Sequence, residues 1–143
     1  MGTIVAIPKT NIGTIDSDHL KLLNLIDSLL HSIETHAHPE ITAGMVDIIF
    51  HLEAHCEHEE ELMRSVNYPD YGDHKAKHHE ILMKCNKAND DLASHQDCKE
   101  LTIFITAILI PWLHTHASLD DMAVAEHLHS KSTLTMKAKE LSE

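Results

Sequence analysis

Hydrophobic residues recur along most of this chain every three or four positions, the period that is typical of amphipathic helices. Four segments show the pattern. The residues of the four predicted buried stripes are His19, Leu23, Ile26, Leu30 and Ile33; Met45, Ile48, Leu52, His55, Glu59 and Leu62; His74, His78, Ile81, Cys85, Ala88 and Leu92; and Leu101, Ile105, Ile108 or Leu109, Trp112, His116 and Asp120. Helices of this kind joined by short turns pack as an antiparallel bundle. The pattern predicts an all-α, up-down-up-down four-helix bundle.

Capping and turn residues indicate where these helices begin and end. Asp16 or Ser17 can cap the first helix, and Pro39 suits the first turn of the second. The turn signal Asn67-Tyr68-Pro69-Asp70 separates the second helix from the third. We expect a single domain, divided into an N-terminal arm, a four-helix core and a short helical tail. The ranges are 1–143 for the domain, 1–15 for the arm, 16–125 for the core and 126–143 for the tail.

Composition and charge support this fold and exclude some partners. The chain has 143 residues, enough for one domain with a core, and 43% of them are hydrophobic but only 3% aromatic. That balance favours aliphatic helices. The net charge is −12, with 23 acidic residues against 11 Lys and Arg, so nucleic acid and anionic membranes would be repelled. We expect neither as a partner.

The cysteines and the apolar runs predict a cytoplasmic protein. Cys56, Cys85 and Cys98 cannot all pair within the chain and show no CxxC spacing, which indicates free thiols in a reducing compartment. The N-terminus lacks a charged segment followed by a long apolar core. The longest apolar run, Ile103–Leu113, is too short to cross a bilayer, which needs about 20 residues.

Polar residues on the buried stripes are the candidate functional residues. Buried His, Glu and Asp side chains are costly unless they are paired or bind a metal. His55 and Glu59, like His74 and His78, are four positions apart and so lie on one helix face. The predicted stripes carry five imidazoles and two carboxylates, which are too many ligands for one tetrahedral zinc ion. The imidazoles belong to His19, His55, His74, His78 and His116. Such a set of ligands suits two ions of higher coordination number with bridging carboxylates.

The fourth helix offers two adjacent carboxylates. Asp120, four residues after His116, is better phased with it on a straight helix than Asp121. Pro111 lacks the amide hydrogen that a helix interior requires, so we expect a kink one turn before His116. Such a distortion makes straight-helix phase a poor guide to which carboxylate points inward.

Four sequence motifs include the residues singled out above. They are Ile15-Asp16-Ser17-Asp18-His19, the HxxxEExxM pattern from His55 to Met63, Tyr68-Pro69 leading into the HxxxH pattern of His74 and His78, and the WLxxH pattern from Trp112 to His116 followed by an Asp five residues later. Together these motifs resemble the hemerythrin family in its single-domain bacterial form, and the resemblance covers about residues 12–125.

The resemblance implies two iron ions in this chain. It assigns one iron to three histidines and the other to two, with two bridging carboxylates and an oxo or hydroxo group between them; the WLxxH frame favours Asp121 as a bridge. The implied ligands are His74, His78 and His116 for one iron, His19 and His55 for the other, and Glu59 and Asp121 as bridges.

The resemblance further implies that dioxygen binds reversibly, as hydroperoxide, at an open position on the second iron. The protein would then carry, store or buffer oxygen without being an enzyme. One alternative is an oxygen or redox sensor or interaction module, in which oxygenation or oxidation changes the contact with a separate protein partner. Another is a di-iron oxidoreductase that acts on peroxide.

Four apolar or small residues correspond to the wall of the oxygen pocket in that family. Met63 and Leu113 fit the usual pattern, whereas Cys56 and Ala117 stand where the family usually has Phe and Ile. Smaller side chains predict a roomier pocket and faster conversion of the oxygenated form to an inactive diferric form. Of the remaining polar residues, we expect the acidic ones of Glu57–Glu61, apart from Glu59, on a solvated helix face.

Overall fold

The computed structural model describes residues 7–95 and 98–131, and this part of the chain is helical with no strand. Each helix packs against the next along the chain, and the fourth also contacts the first, which closes the bundle. The predicted all-α four-helix bundle is confirmed. The helices are α1, Gly13–Glu34; α2, His38–Ser65; α3, Tyr71–His95; and α4, Cys98–Lys131. Part of the predicted tail, from residue 132 onward, and the start of the predicted arm lie outside the described residues.

The start of α1 differs from the prediction. The helix begins at Gly13, and its N-cap residue, Ile12, makes no side-chain cap hydrogen bond. Asp16 therefore does not cap it. Its carboxylate instead accepts hydrogen bonds from the backbone amides of Thr10, at 2.8 Å, and Asn11, at 3.1 Å. These hydrogen bonds hold the preceding segment against the first turn of α1.

Helices α1 and α2 end in the same way. His36 and Asn67 adopt left-handed backbone conformations, with φ of 56° and 51°. The amides of the following residues, Ala37 and Tyr68, each reach back five positions to a helix carbonyl at 3.0 Å. This is the Schellman arrangement that satisfies carbonyls at a helix end. Pro39 lies in the first turn of α2, as predicted.

The buried stripe of α1 includes His19 and Ile26, as predicted, but differs at two leucine positions. Leu22 and Leu29 are buried, whereas Leu23 and Leu30 lie at the edge of the core. Both alternatives are leucine, so hydrophobicity could not distinguish them. The buried residues of α1 are Ile15, His19, Leu22, Ile26 and Leu29.

Two wider turns interrupt α4. Residues Ile105–Leu109 and His116–Asp121 are π-helical. The first ends two residues before Pro111, near the distortion that the sequence predicts because proline cannot donate the helix hydrogen bond. It buries Leu109, which is 2% exposed, and leaves Ile108 40% exposed. The second turn carries residues of the predicted metal site.

By length and composition, α4 is also apolar enough to span a membrane. The helix has 34 residues. Its most apolar part has a mean hydropathy of 1.3, and 39% of that part is buried. The apolar stretch is thus longer than the predicted run of Ile103–Leu113. A single such helix is weak evidence for a membrane span, because core helices of globular proteins share these properties. Here α4 contributes Leu101, Ile105 and Leu109 to the bundle core.

Candidate metal centre

The seven predicted ligand side chains converge in the bundle interior. None of them is more than 4% exposed. Every helix contributes at least one: His19 from α1, His55 and Glu59 from α2, His74 and His78 from α3, and His116 and Asp121 from α4. Four separate helices therefore direct polar groups to one buried region.

These side chains form two groups that share a carboxylate. Within each group the potential ligand atoms lie within 4.8 Å of one another. The larger group has five members and the smaller has three, with Asp121 in both. The members are Glu59, His74, His78, His116 and Asp121 in one group, and His19, His55 and Asp121 in the other.

Glu59 presents its two oxygens to different groups. Its Oε1 atom is in close contact with Nε2 of His74 and lies 3.4 Å from Nε2 of His78 and 3.7 Å from Nε2 of His116. Its Oε2 atom lies 3.2 Å from Nε2 of His55. One carboxylate therefore connects the three histidines of the larger group with a histidine of the smaller group.

Asp121 divides its oxygens in the same way. Its Oδ1 atom lies 3.0 Å from Nε2 of His116 and 3.2 Å from Nε2 of His74. Its Oδ2 atom lies 2.7 Å from Nε2 of His19 and 3.6 Å from Nε2 of His55. Both carboxylates thus have the arrangement that a bridge between two metal ions requires.

The π-helical turn explains why Asp121, and not Asp120, points inward. In a π-helix the backbone hydrogen bond spans five residues, so positions five apart share a face. His116 and Asp121 stand in that relation at the two ends of the turn. The straight-helix expectation that Asp120 lies on the buried stripe is wrong, since its side chain is 22% exposed at the bundle surface.

Without metal, the histidines and carboxylates strongly perturb one another. Burial alone would raise the pKa of Glu59 and Asp121, but the surrounding imidazoles hold both well below their usual values. Burial alone would lower the pKa of His116, but Asp121 and Glu59 raise it to about 9. The same carboxylates raise the pKa of His55 and His74. The metal-free centre is therefore held together by charge pairing.

Several buried atoms in this centre lack hydrogen-bond partners with suitable geometry. They are Nδ1 of His19, Nε2 of His55 and of His74, both oxygens of Glu59, and Oδ1 of Asp121. Unpaired buried polar atoms are costly, and a carboxylate oxygen or a deprotonated imidazole nitrogen has a lone pair that can bind a cation. Around an octahedral ion with bonds of about 2.1 Å, neighbouring ligand atoms lie about 3 Å apart. The described contacts of Asp121, from 2.7 to 3.6 Å, fit that requirement.

Three further carboxylates hold the outward nitrogens of the buried histidines. Each accepts a hydrogen bond from a histidine Nδ1: Asp18 from His55 at 3.2 Å, Glu60 from His78 at 2.9 Å, and Asp120 from His116 at 3.0 Å. Such partners fix the tautomer and orientation of a metal-binding histidine. With Nδ1 held by a carboxylate, Nε2 faces the centre, and its lone pair becomes available to a metal ion that replaces the proton.

The sequence analysis missed this outer set of carboxylates. Glu60 was expected on a solvated face, which is wrong, because its side chain is only 15% exposed and faces His78. Asp120 was considered only as a rival bridge, although its position four residues after His116 is the spacing of helical neighbours. Asp18 was noted only as part of a sequence motif, and spacing could not reveal its partners His55 and His58, because they lie on another helix.

The four predicted pocket residues are all buried. Cys56, Met63, Leu113 and Ala117 are each at most 2% exposed. Burial, followed by the charge of Glu59, raises the pKa of the Cys56 thiol far above its ordinary value. Cys56 is therefore a neutral thiol at physiological pH.

Fold and site together define a four-helix bundle with a candidate two-metal centre. The model of the hemerythrin HHE cation binding domain matches residues 10–128. The chain belongs to the hemerythrin family, as the sequence motifs predict. Family membership implies a non-haem di-iron centre that binds dioxygen.

Two relatives carry the description bacteriohemerythrin. The protein from Aquifex aeolicus is 29% identical over 118 residues, which cover 82% of this chain and 87% of the relative. The protein from Methylococcus capsulatus is 26% identical over 107 residues, which cover 75% of this chain and 80% of the relative. The comparison with solved structures gave no significant match.

Proposed function

We propose that this protein binds dioxygen reversibly at a di-iron centre and so carries, stores or buffers oxygen. The observation that carries the proposal is the division of carboxylate oxygens between two histidine groups. Glu59 and Asp121 each face the larger group with one oxygen and the smaller group with the other. That division is the arrangement expected of carboxylates that bridge a pair of ions.

Each side chain has a definite role in this proposal. His74, His78 and His116 would hold one iron, His19 and His55 would hold the other, and Glu59 and Asp121 would bridge the two together with an oxo or hydroxo group. The second iron would have one histidine fewer, which would leave a position for an external ligand. When bound, the iron pair would supply two electrons to dioxygen, which the family binds in a reduced and protonated form, and would recover them on release.

The surrounding residues would keep this chemistry reversible. Cys56, Met63, Leu113 and Ala117 offer no charged group, and a buried apolar wall limits water access and so slows the loss of reduced oxygen from the pocket. The small side chains of Cys56 and Ala117 would make this protection weaker than Phe and Ile would. The five imidazoles outnumber the two carboxylates, a balance that suits reversible cycling better than strong oxidation. We therefore propose a carrier and not an enzyme. The three free cysteines fit the proposed cytoplasmic location.

Oxygen cycling after anaerobic reconstitution with ferrous iron tests this function. We expect a visible absorption band that appears in air, disappears under vacuum and returns over repeated cycles. His78→Gln should abolish the band, whereas His79→Gln, at the adjacent exposed position, should leave it intact. A band that forms once and never reverses would contradict oxygen carriage, and catalytic consumption of added peroxide would favour the oxidoreductase alternative.

A further inference from the structure

Two lysines lie within the His74-Lys75-Ala76-Lys77-His78 segment of α3, and both side chains are about half exposed. We propose that Lys77 and Asp120 form a clamp that positions His116 for metal binding, with Lys75 and Glu60 as a weaker parallel clamp on His78. This inference deepens the proposed function and rests on it. Asp120 and Lys77 are positioning residues, since neither reaches the centre itself.

The first clamp is a continuous chain of hydrogen bonds. Lys77 Nζ donates to Oδ1 of Asp120 at 2.7 Å, and His116 Nδ1 donates to Oδ2 of the same carboxylate at 3.0 Å. Both carboxylate oxygens are therefore occupied. Because Nδ1 makes this hydrogen bond, Nε2 of His116 is directed into the centre, 3.0 Å from Oδ1 of Asp121, where a metal ion would replace its proton.

The clamp also ties two helices together at the centre. Lys77 belongs to α3, between two candidate ligands, whereas Asp120 and His116 belong to α4. The hydrogen bond from Lys77 fixes the position of the Asp120 carboxylate, which faces the imidazole of His116. The orientation of His116 thus depends on a residue whose own side chain lies at the surface.

The second clamp repeats this geometry on the neighbouring histidine. Glu60 accepts a hydrogen bond from His78 Nδ1 at 2.9 Å through Oε2, and its Oε1 atom lies 4.0 Å from Lys75 Nζ. The smaller group is built differently. Asp18 is shared by His55 and the half-exposed His58, at 3.2 and 2.9 Å, so a histidine takes the place of the lysine.

Trp112 can report on the position of the His116 ring. Trp112 is the only tryptophan of the chain. It stacks on His116 with ring centroids 4.4 Å apart and an interplanar angle of 12°. Intrinsic tryptophan fluorescence therefore reports on the position of His116 even when no metal is bound.

The test compares Asp120→Ala, Asp120→Asn and Lys77→Gln with the wild type. In the metal-free protein, Asp120→Ala should shift Trp112 emission, and Asp120→Asn should largely restore it, because an amide oxygen also accepts the hydrogen bond from Nδ1. In chelator competition, Asp120→Ala should weaken iron binding by about 10–100-fold, the usual effect of losing such a partner. Lys77→Gln should act in the same direction with a smaller effect.

Controls use an ion pair of α3 that lies away from the centre. Lys87 and Asp91 pair at 2.9 Å on the surface, so Lys87→Gln and Asp91→Ala should match the wild type in both measurements. Wild-type emission and iron affinity in Asp120→Ala would overturn the inference. If that variant does not fold, Lys77→Gln decides, because wild-type behaviour there would equally overturn it. Failure of the wild type to bind two irons would instead count against the proposed function, and metal-free fluorescence distinguishes the two failures.

Discussion

Asp121 lies five residues after His116, yet its Oδ1 atom is 3.0 Å from Nε2 of that histidine. The contact exists because the intervening chain forms a π-helical turn. In a regular α-helix, Asp120 would share the face of His116 instead. The backbone of one turn therefore selects which of two adjacent carboxylates enters the centre.

This relationship predicts different effects for two neighbouring substitutions. Asp121→Asn removes an anionic oxygen that faces both histidine groups, so the iron content after reconstitution should fall clearly below two per chain. Asp120→Asn should still bind two irons, because that side chain only orients His116. Iron analysis of the two purified variants measures the difference. Full iron content in Asp121→Asn together with loss in Asp120→Asn would reverse the assignment.

The metal-free protein should lose stability as the pH rises above neutrality. The pKa of His116 is raised from 6.5 to about 9 in the folded state. Its protonation therefore stabilises the fold fully below pH 6.5, and this contribution disappears as the pH passes through 9. The pKa values of Glu59 and Asp121 are lowered in the folded state. The ionised carboxylates therefore stabilise the fold at pH values above their ordinary pKa values, and this contribution is lost in acid.

Urea unfolding of the metal-free protein at pH ~5.5, ~7.5 and ~9.5 checks this expectation. These pH values lie below, between and above the ordinary pKa of histidine, 6.5, and the raised pKa of His116, about 9. The free energy of unfolding should decline across the series. The decline should be smaller in His116→Gln and unchanged in the surface variant His79→Gln. An equally steep decline in His116→Gln would mean that another group is responsible.

The small residues of the pocket wall predict an effect on the lifetime of the oxygenated form. Cys56→Phe with Ala117→Ile fills space beside the centre and should slow the decay to the diferric form. Decay is followed by visible absorption in air. If no spare space exists, the double variant should instead lose about 1–3 kcal/mol of stability through overpacking. A stable variant with unchanged decay would refute the roomier pocket.

The cysteines should differ in reactivity. Cys98 is partly exposed, whereas Cys56 and Cys85 are buried. Burial raises the pKa of Cys85 to about 12, so almost no thiolate forms at neutral pH. A chromogenic disulfide reagent should therefore titrate one thiol rapidly in the native protein and three after denaturation. Rapid titration of all three in the native state would show that the core opens readily.

Much of the fold and of the candidate centre follows from helical spacing. His55 and Glu59, like His74 and His78, are related by a regular helical step of four, which the residue pattern alone reveals. The sequence could not choose between Leu22 and Leu23 as the buried residue, because both are leucine. That choice depends on how α1 rotates against its neighbours.

Two features of the centre could not be predicted from the spacing of residues in the sequence. The π-helical turn before Asp121 changes the hydrogen-bond register of the backbone, and no single residue type between His116 and Asp121 signals it. The partner of Glu60 is His78 on another helix. Such contacts between helices emerge only once the bundle is assembled.

The central claim is that Glu59 and Asp121 bridge two iron ions, and the magnetic state of the iron-loaded protein tests it most directly. Iron analysis with electron paramagnetic resonance of the fully oxidised protein makes the measurement. We predict two irons per chain and no resonance at full intensity, because bridged ferric ions couple their spins. One iron per chain with a full-intensity ferric signal, or one zinc and no iron, would contradict the account.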